Sequence, residues 1–305
     1  MLTRRAIGWL VAAFVTAGSS APLPANAVER MKVVATFSIV GDLVKTVGGE
    51  RIDLVTLVGP DGDAHVYAPT PADARRLAEA RVVIMNGLGF EGWMSRLVKA
   101  SGTKATAVEA AQGVRTIGTG ERNRHGHAHG SVDPHAWQSV ANARVYVTNI
   151  RDALVRADPA GKDAYEANAR DYLAKLDALD AEVKAAIARI PADRRKVIMS
   201  HEAFGYFERE YGLDFIAPRG VSTEAEASAG DVARIIQQMR REKIPAVFLE
   251  NISDPRLIER IAKETGARIG GRLYSDALSG DDGPAATYID MMRHNIRAFS
   301  AALSS

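Results

Sequence analysis

Short apolar runs of strand length alternate along this chain with stretches whose apolar positions recur every three or four residues. Residues 32–36, 54–58, 82–85, 197–199, 246–249 and 267–273 are β-branched or apolar runs, and most are followed by an amphipathic segment. A parallel strand pair needs a long crossover, usually helical, so this alternation predicts an α/β fold with largely parallel sheets. One helix start is well marked. Thr70-Pro71-Ala72-Asp73 supplies an N-cap hydroxyl, a proline at the first helical position and a carboxylate at the third.

A longer pattern interrupts the alternation. Across residues 161–190, ahead of Pro191, the residues Tyr165, Ala169, Tyr172, Leu176, Leu179, Val183, Ala186 and Ile190 draw one apolar stripe at helical spacing. Thirty helical residues span about 45 Å, longer than one small domain. Coiled-coil pairing is the alternative use of such a stripe. Because the strand rhythm stops before it and restarts after it, the pattern predicts two (β/α) lobes, residues 28–160 and 191–305, joined by a long rigid α-helix over 161–190. Such a spine restricts hinge closure compared with flexible crossover strands.

The first 27 residues stand apart. Arg4 and Arg5 precede an apolar run over 6–17, and the stretch ends in Ala25-Asn26-Ala27, the order of a cleavable secretory signal with an apolar run too short to span a membrane. Thr3-Arg4-Arg5 is an incomplete twin-arginine pattern, so the general export route is favoured. Cleavage near Ala27 removes two arginines and leaves 37 basic against 37 acidic residues, which offers no electrostatic case for nucleic acid or anionic membrane. There is no cysteine, hence no disulfide, no thiolate metal site and no lipid-bearing residue. These features predict a soluble periplasmic protein, taken as a monomer.

The candidate chemistry lies in histidine, the commonest metal-binding side chain. Four of the seven histidines fall in RHGHAHGSVDPHAW, at His125, His127, His129 and His135. The first three alternate with small residues and read as a mobile metal-collecting tail or a solvated loop, whereas His135 follows Asp133-Pro134, which stiffens its approach. His65 ends a Gly/Pro/Asp loop after a predicted strand, and His201 and Asp276 each follow a predicted strand. These four are separated by 70, 66 and 75 residues, so each falls in a different segment, two before the long helix and two after it. Ligands at the carboxyl ends of parallel strands converge on the crevice of an open α/β sheet, which places a metal site between the lobes. Three imidazoles and a carboxylate suit four-coordinate zinc better than manganese, and four protein ligands leave no position for an activated water. The site therefore reads as a holder of Zn2+, not an enzyme's centre.

The segments GPDGDAHVYAPTPAD, VDPHAWQSV, SHEAFGYFEREYGL and LYSDALSGDDGPAATYIDMMRHN resemble, in order and over nearly all of the mature chain, the zinc and manganese substrate-binding proteins of ABC importers, the cluster A-I or ZnuA-like family. The resemblance implies two (β/α) lobes on a rigid helix, a metal at their interface, ligands at His65, His135, His201 and Asp276, and a membrane permease as partner. Manganese members usually carry glutamate at the third ligand position. Here that position is His201, with Glu202 beside it, which favours zinc. The histidine-rich loop is short compared with the insertions of many zinc members.

Other residues have simpler readings. Glu202 is assigned to the surface or to capping, His294 to a structural or exposed role, and Tyr206 and Phe207 to packing. Phe90, Trp93 and Trp137 are candidates to cover the cleft. The stretch from Asn86 to Glu91 lacks the glycine spacing of a nucleotide loop. A secreted zinc hydrolase would need a compact motif such as HExxH, which is absent. A periplasmic zinc metallochaperone or an adhesin on the same fold, and a Mn2+-binding importer component, are the rival functions.

Overall fold

The computed structural model describes residues 29–119 and 132–304. The proposed export signal and the loop histidines His125, His127 and His129 lie outside the described residues. Strands β1 (Met31–Phe37), β2 (Ile52–Val58), β3 (Val82–Met85) and β4 (Thr106–Glu109) form one sheet in the order β2-β1-β3-β4. Strands β5 (Lys196–Ile198), β6 (Asp214–Ile216), β7 (Ala246–Glu250) and β8 (Arg268–Leu273) form another in the order β6-β5-β7-β8. Every pairing is parallel, so the same strand order is built twice. In each sheet the order reverses beside the first strand, which creates the crevice where such sheets hold ligands.

Helices α1 (Ser38–Gly48), α2 (Pro71–Glu79), α3 (Met94–Ser101) and α4 (Val140–Ala157) accompany the first sheet, and α5 (Lys162–Ala188) follows. Helices α6 (Gly205–Tyr211), α7 (Ala229–Glu242), α8 (Arg256–Thr265) and α9 (Tyr288–Leu303) accompany the second. The start of α2 forms as its sequence dictates: the Thr70 side chain accepts the Asp73 N–H while the Asp73 carboxylate accepts the Thr70 N–H. Helix α5 buries Tyr165, Ala169, Tyr172, Leu176, Leu179, Val183 and Ile187. Thus Ile187 takes the place in the stripe expected of Ala186, because a step of four from Val183 stays closer to the buried face than a step of three. At 27 residues the helix is about 40 Å long. It packs against α1 and α4 on one side and α6 and α9 on the other.

Three details depart from the sequence expectations. The short strands β4 and β6 carry little apolar signal, since three of the four β4 residues are exposed and β6 has only three residues. The α4 helix intervenes between the first sheet and α5, so the connector is one member of a packed helix pair. The apolar core is also continuous across both sheets, joining Val33, Phe37 and Trp137 to Leu176, Phe204 and Phe299. A smaller cluster, including Ile198, Val247, Ile235 and Ile261, seals β5 and β7 against α7 and α8.

Candidate metal centre

Three of the four expected donors leave the sheets at strand ends. His65 sits in the loop after β2, where Asp61 adopts a positive φ of 55°. Its backbone N–H donates to Asp63 Oδ1 at 2.9 Å. His201 follows β5 after two residues, and Asp276 follows β8, held by the reciprocal bonds of Tyr274 with Asn295. His135 lies, as its sequence suggests, in a loop and not at a strand end, and precedes the single turn Ala136–Gln138 that leads into α4. That turn is fixed to the other lobe, since the Trp137 indole and the Gln138 amide both donate to Ser275 O, at 2.9 and 2.7 Å. Both contacts lie next to Asp276.

The four side chains meet. His65, His135, His201 and Asp276 each offer a ligand atom within 4.8 Å of the others, and all four are buried. Asp276 Oδ2 lies 3.0 Å from His201 Nε2, 3.2 Å from His65 Nε2 and 3.7 Å from His135 Nε2. The His65 and His135 Nε2 atoms are 3.3 Å apart. Asp276 Oδ1 is buried with no hydrogen-bond partner.

Each of two imidazoles is aimed by a carboxylate that sequence reasoning did not single out. Asp133 Oδ1 lies 2.8 Å from His135 Nδ1 and accepts the His135 N–H. Glu250, at the end of β7, places Oε2 2.7 Å from His201 Nδ1, while its Oε1 accepts the Ser200 and His201 N–H groups. A carboxylate on Nδ1 fixes the tautomer so that the Nε2 lone pair faces the ion. The signals were present: an acid two residues before His135, and an acid closing the apolar run AVFLE.

Electrostatics follow the geometry. Burial alone would lower His135, but the Asp276 charge and the Asp133 hydrogen bond raise it. Burial likewise opposes protonation of His201, yet Glu250 and Asp276 hold it well above the ordinary imidazole value. Burial pushes the Asp276 carboxyl up, and the facing His201 and His135 outweigh that and keep it well below the usual carboxylate range. Without metal the cluster balances its carboxylates with protons on imidazole. A divalent cation would displace those protons.

The aromatic residues line this centre unequally. Phe90 meets the His65 ring edge-on at 4.6 Å, and Trp137 packs against His135 at 5.2 Å. Trp93, by contrast, packs on Tyr67 and reaches the loop only by donating to Ala64 O. Tyr206 is buried as expected but also donates its hydroxyl to Asp133 O. His294 is engaged away from the cluster, with Nε2 2.9 Å from Arg272 O. The stretch from Asn86 to Glu91 is a turn rather than a phosphate loop: buried Glu91 accepts from Thr36 and from the Asn86 N–H, and Asn86 donates to Pro134 O. A cavity of about 510 Å3 opens from the centre to solvent, lined by His65, Leu88, Phe90, Pro134, Val221 and Glu224.

A pair of parallel-sheet lobes on a shared helix, with a buried three-histidine, one-carboxylate cluster between them, is the architecture of a metal-holding receptor. The comparisons agree on the class. The chain belongs to the ZnuA family, "Zinc-uptake complex component A periplasmic", whose profile it matches over residues 33–302. It is thus a periplasmic metal-binding substrate-binding protein of ABC transporters, in a family of transport proteins rather than enzymes. It is 34% identical over 297 residues to the iron-binding protein YfeA of Yersinia pestis, covering 96% of this chain and 94% of that protein. It is 33% identical over 276 residues to the manganese-binding lipoprotein MntA of Halalkalibacterium halodurans, covering 90% and 89%. Among solved structures, the periplasmic zinc-binding protein TroA of Treponema pallidum superposes with a TM-score of 0.84 at 30% identity, over 90% of this chain and 100% of that one. A manganese-bound periplasmic metal-binding protein of Candidatus Liberibacter asiaticus gives 0.80 at 30% identity, with the same coverage. No helix among the described residues is long and apolar enough to cross a membrane.

Proposed function

We propose that this chain captures Zn2+ in the periplasm through His65, His135, His201 and Asp276 and delivers it to the membrane permease of an ABC importer. The observation that carries the reading is the convergence of three imidazole Nε2 atoms and one carboxylate oxygen in one buried spot. Tetrahedral zinc with bonds of about 2.0–2.1 Å separates its ligand atoms by about 3.3 Å. Four of the six separations, 3.0, 3.2, 3.3 and 3.7 Å, bracket that value, and all six lie within 4.8 Å. Three imidazoles favour zinc over the harder manganese ion. In this reading residues 1–27 are the export signal, 28–160 and 191–305 are the lobes, and 161–190 is the connector. His125, His127 and His129 collect metal on a segment that rejoins the described chain at Val132, beside the cavity.

One observation favours manganese as the alternative cargo. The unpartnered Asp276 Oδ1 is available as a fifth, oxygen donor, and higher coordination with oxygen suits Mn2+. A competition titration of the demetallated mature protein with Zn2+ and Mn2+ against a chromogenic chelator, repeated on His201→Ala, separates the two. One tight zinc per chain, weak manganese binding and a large loss in the variant support zinc import. Comparable affinity for manganese reassigns the cargo, and an indifferent variant removes His201 from the ligand set. Zinc-limited growth of strains lacking this protein or its permease distinguishes import from a chaperone role, because only import makes the two defects equivalent.

A further inference from the structure

His135, His201 and Asp276 are sealed at 0–1% exposure, whereas His65 retains 7% and lines the cavity that leads to solvent. The ion's route outward therefore runs past His65. What holds His65 lies on both sides of the cleft. Asp63 Oδ1 accepts the His65 backbone N–H at 2.9 Å, and Asp63 Oδ2 accepts the Thr223 hydroxyl at 2.6 Å. Thr223 belongs to the opposite lobe, in the irregular stretch 217–228 between β6 and α7. The base of that stretch is anchored to the metal centre: Arg219 bridges His201, and Gly220 O accepts the Glu202 N–H. Its tip carries Val221 and Glu224 at the cavity rim.

Surface ties also cross between the lobes, Asn251 Nδ2 to Asp61 Oδ1 and Arg209 to Arg115 O, each at 2.9 Å, but neither touches Asp63 or His65, and other ties lie deeper. Tyr288 to Trp137 O, Trp137 to Ser275 O and Tyr206 to Asp133 O all join buried groups within the continuous core. The Thr223–Asp63 bond is only partly buried and is borne by chain with no helix or strand of its own. It can break without opening the core.

We infer that Asp63 and Thr223 are positioning residues that set the rate of metal release: Thr223 fixes Asp63, Asp63 fixes His65, and displacement of the tip, residues 221–224, loosens the solvent-facing ligand while the other three, His201 included with its anchored base, stay seated. The inference rests on the four-ligand reading above. A docking partner that moves this stretch unloads the ion without separating the lobes.

The test is stopped-flow release of Zn2+ from the loaded mature protein into excess chelator, with association measured in parallel. Thr223→Val should release zinc about tenfold faster, equivalent to ~1.4 kcal/mol and near the low end for a hydrogen bond to a charged group. Its association rate should stay within about twofold. Thr223→Ser, which keeps the hydroxyl, should restore the slow rate, and adding Thr223→Val to Asp63→Ala should give no further acceleration. Release from Thr223→Val at the wild-type rate, failure of serine to rescue, or a full additional effect in the double variant overturns the positioning role alone. A wild-type chain that takes up no zinc overturns the ligand reading and this inference with it.

Discussion

Glu250 lies in ion-pair contact with Nδ1 of His201, which leaves Nε2 toward Asp276, and the two oxygens of that carboxylate divide the work. Oε1 accepts the Ser200 N–H at 2.8 Å, the His201 N–H at 3.2 Å and the Ser200 hydroxyl, while Oε2 faces His201 Nδ1 at 2.7 Å. In Glu250→Gln the three donors require the amide oxygen at the first position, which leaves the NH2 pointing at Nδ1. An amide NH2 only donates, so Nδ1 must accept and the imidazole proton moves to Nε2, the nitrogen needed for the ion. The opposite amide flip sets NH2 against two backbone N–H groups. Loss of such an outer partner typically costs 10–100-fold in metal affinity, or roughly 1.4–2.7 kcal/mol. Asp133 provides the contrast, because its single Oδ1 serves both the N–H and Nδ1 of His135, at 3.0 and 2.8 Å. Asp133→Asn can keep its amide oxygen there and preserve the tautomer, so its loss should stay below about tenfold. The assay is the same chelator competition at neutral pH, with circular dichroism to verify folding. Binding by Glu250→Gln within about twofold of wild type, or a larger loss in Asp133→Asn, would refute the tautomer argument.

Three further outcomes follow from the same geometry. Because their carboxylate neighbours hold His135 and His201 above the usual imidazole value against the opposing effect of burial, zinc affinity should fall as pH drops from about 7.5 to about 5.5; an unchanged affinity in a pH-stepped titration contradicts the three-histidine set. Burial raises the Asp42 carboxyl from 3.8 to about 6 despite its bond from the Tyr288 N–H, so its contribution to stability is fully present below pH 3.8 and lost as pH rises through about 6. Asp42→Asn, which keeps an acceptor for Tyr288, should match wild type near pH 4 and exceed it at neutral pH by up to about 3 kcal/mol in urea unfolding. Thr70→Ala removes half of the capping box on α2 and should cost about 1 kcal/mol, read as a lower denaturation midpoint at unchanged slope.

The candidate ligands were legible as a set because histidine is scarce in this chain and His65, His201 and Asp276 follow apolar runs that end in turns. Their separations of about seventy residues showed the lobe arrangement, and the stripe on α5 showed the connector. What could not be read was orientation. Whether Nδ1 or Nε2 faces the ion depends on Asp133 and Glu250, and Glu250 reaches His201 only through the pairing of β5 with β7. His135 was singled out in its loop, but what fixes it there was hidden, because its position depends on the Ser275 carbonyl gripping Trp137 and Gln138 from the other lobe. Thr223 gave no signal at all. A threonine in a polar loop acquires meaning only when Asp63, 160 positions away in the chain, is brought against it.

Each lobe supplies half of the centre, His65 and His135 from one and His201 and Asp276 from the other, with one aiming carboxylate apiece. Such a division invites a clamshell mechanism, in which the lobes part to free the ion, but the energetics oppose it. Parting them would draw Trp137, Tyr206 and Tyr288 out of a continuous core, and each of these is fully buried. Aromatic side chains bury roughly 150–250 Å2, or roughly 4–6 kcal/mol each at about 25 cal/mol per Å2. Breaking the rim bond from Thr223 to Asp63 costs only about 1.5–3 kcal/mol. The difference favours metal exchange through movement of the loop that carries His65 and of the tip at residues 221–224, with both sheets and α5 left in place.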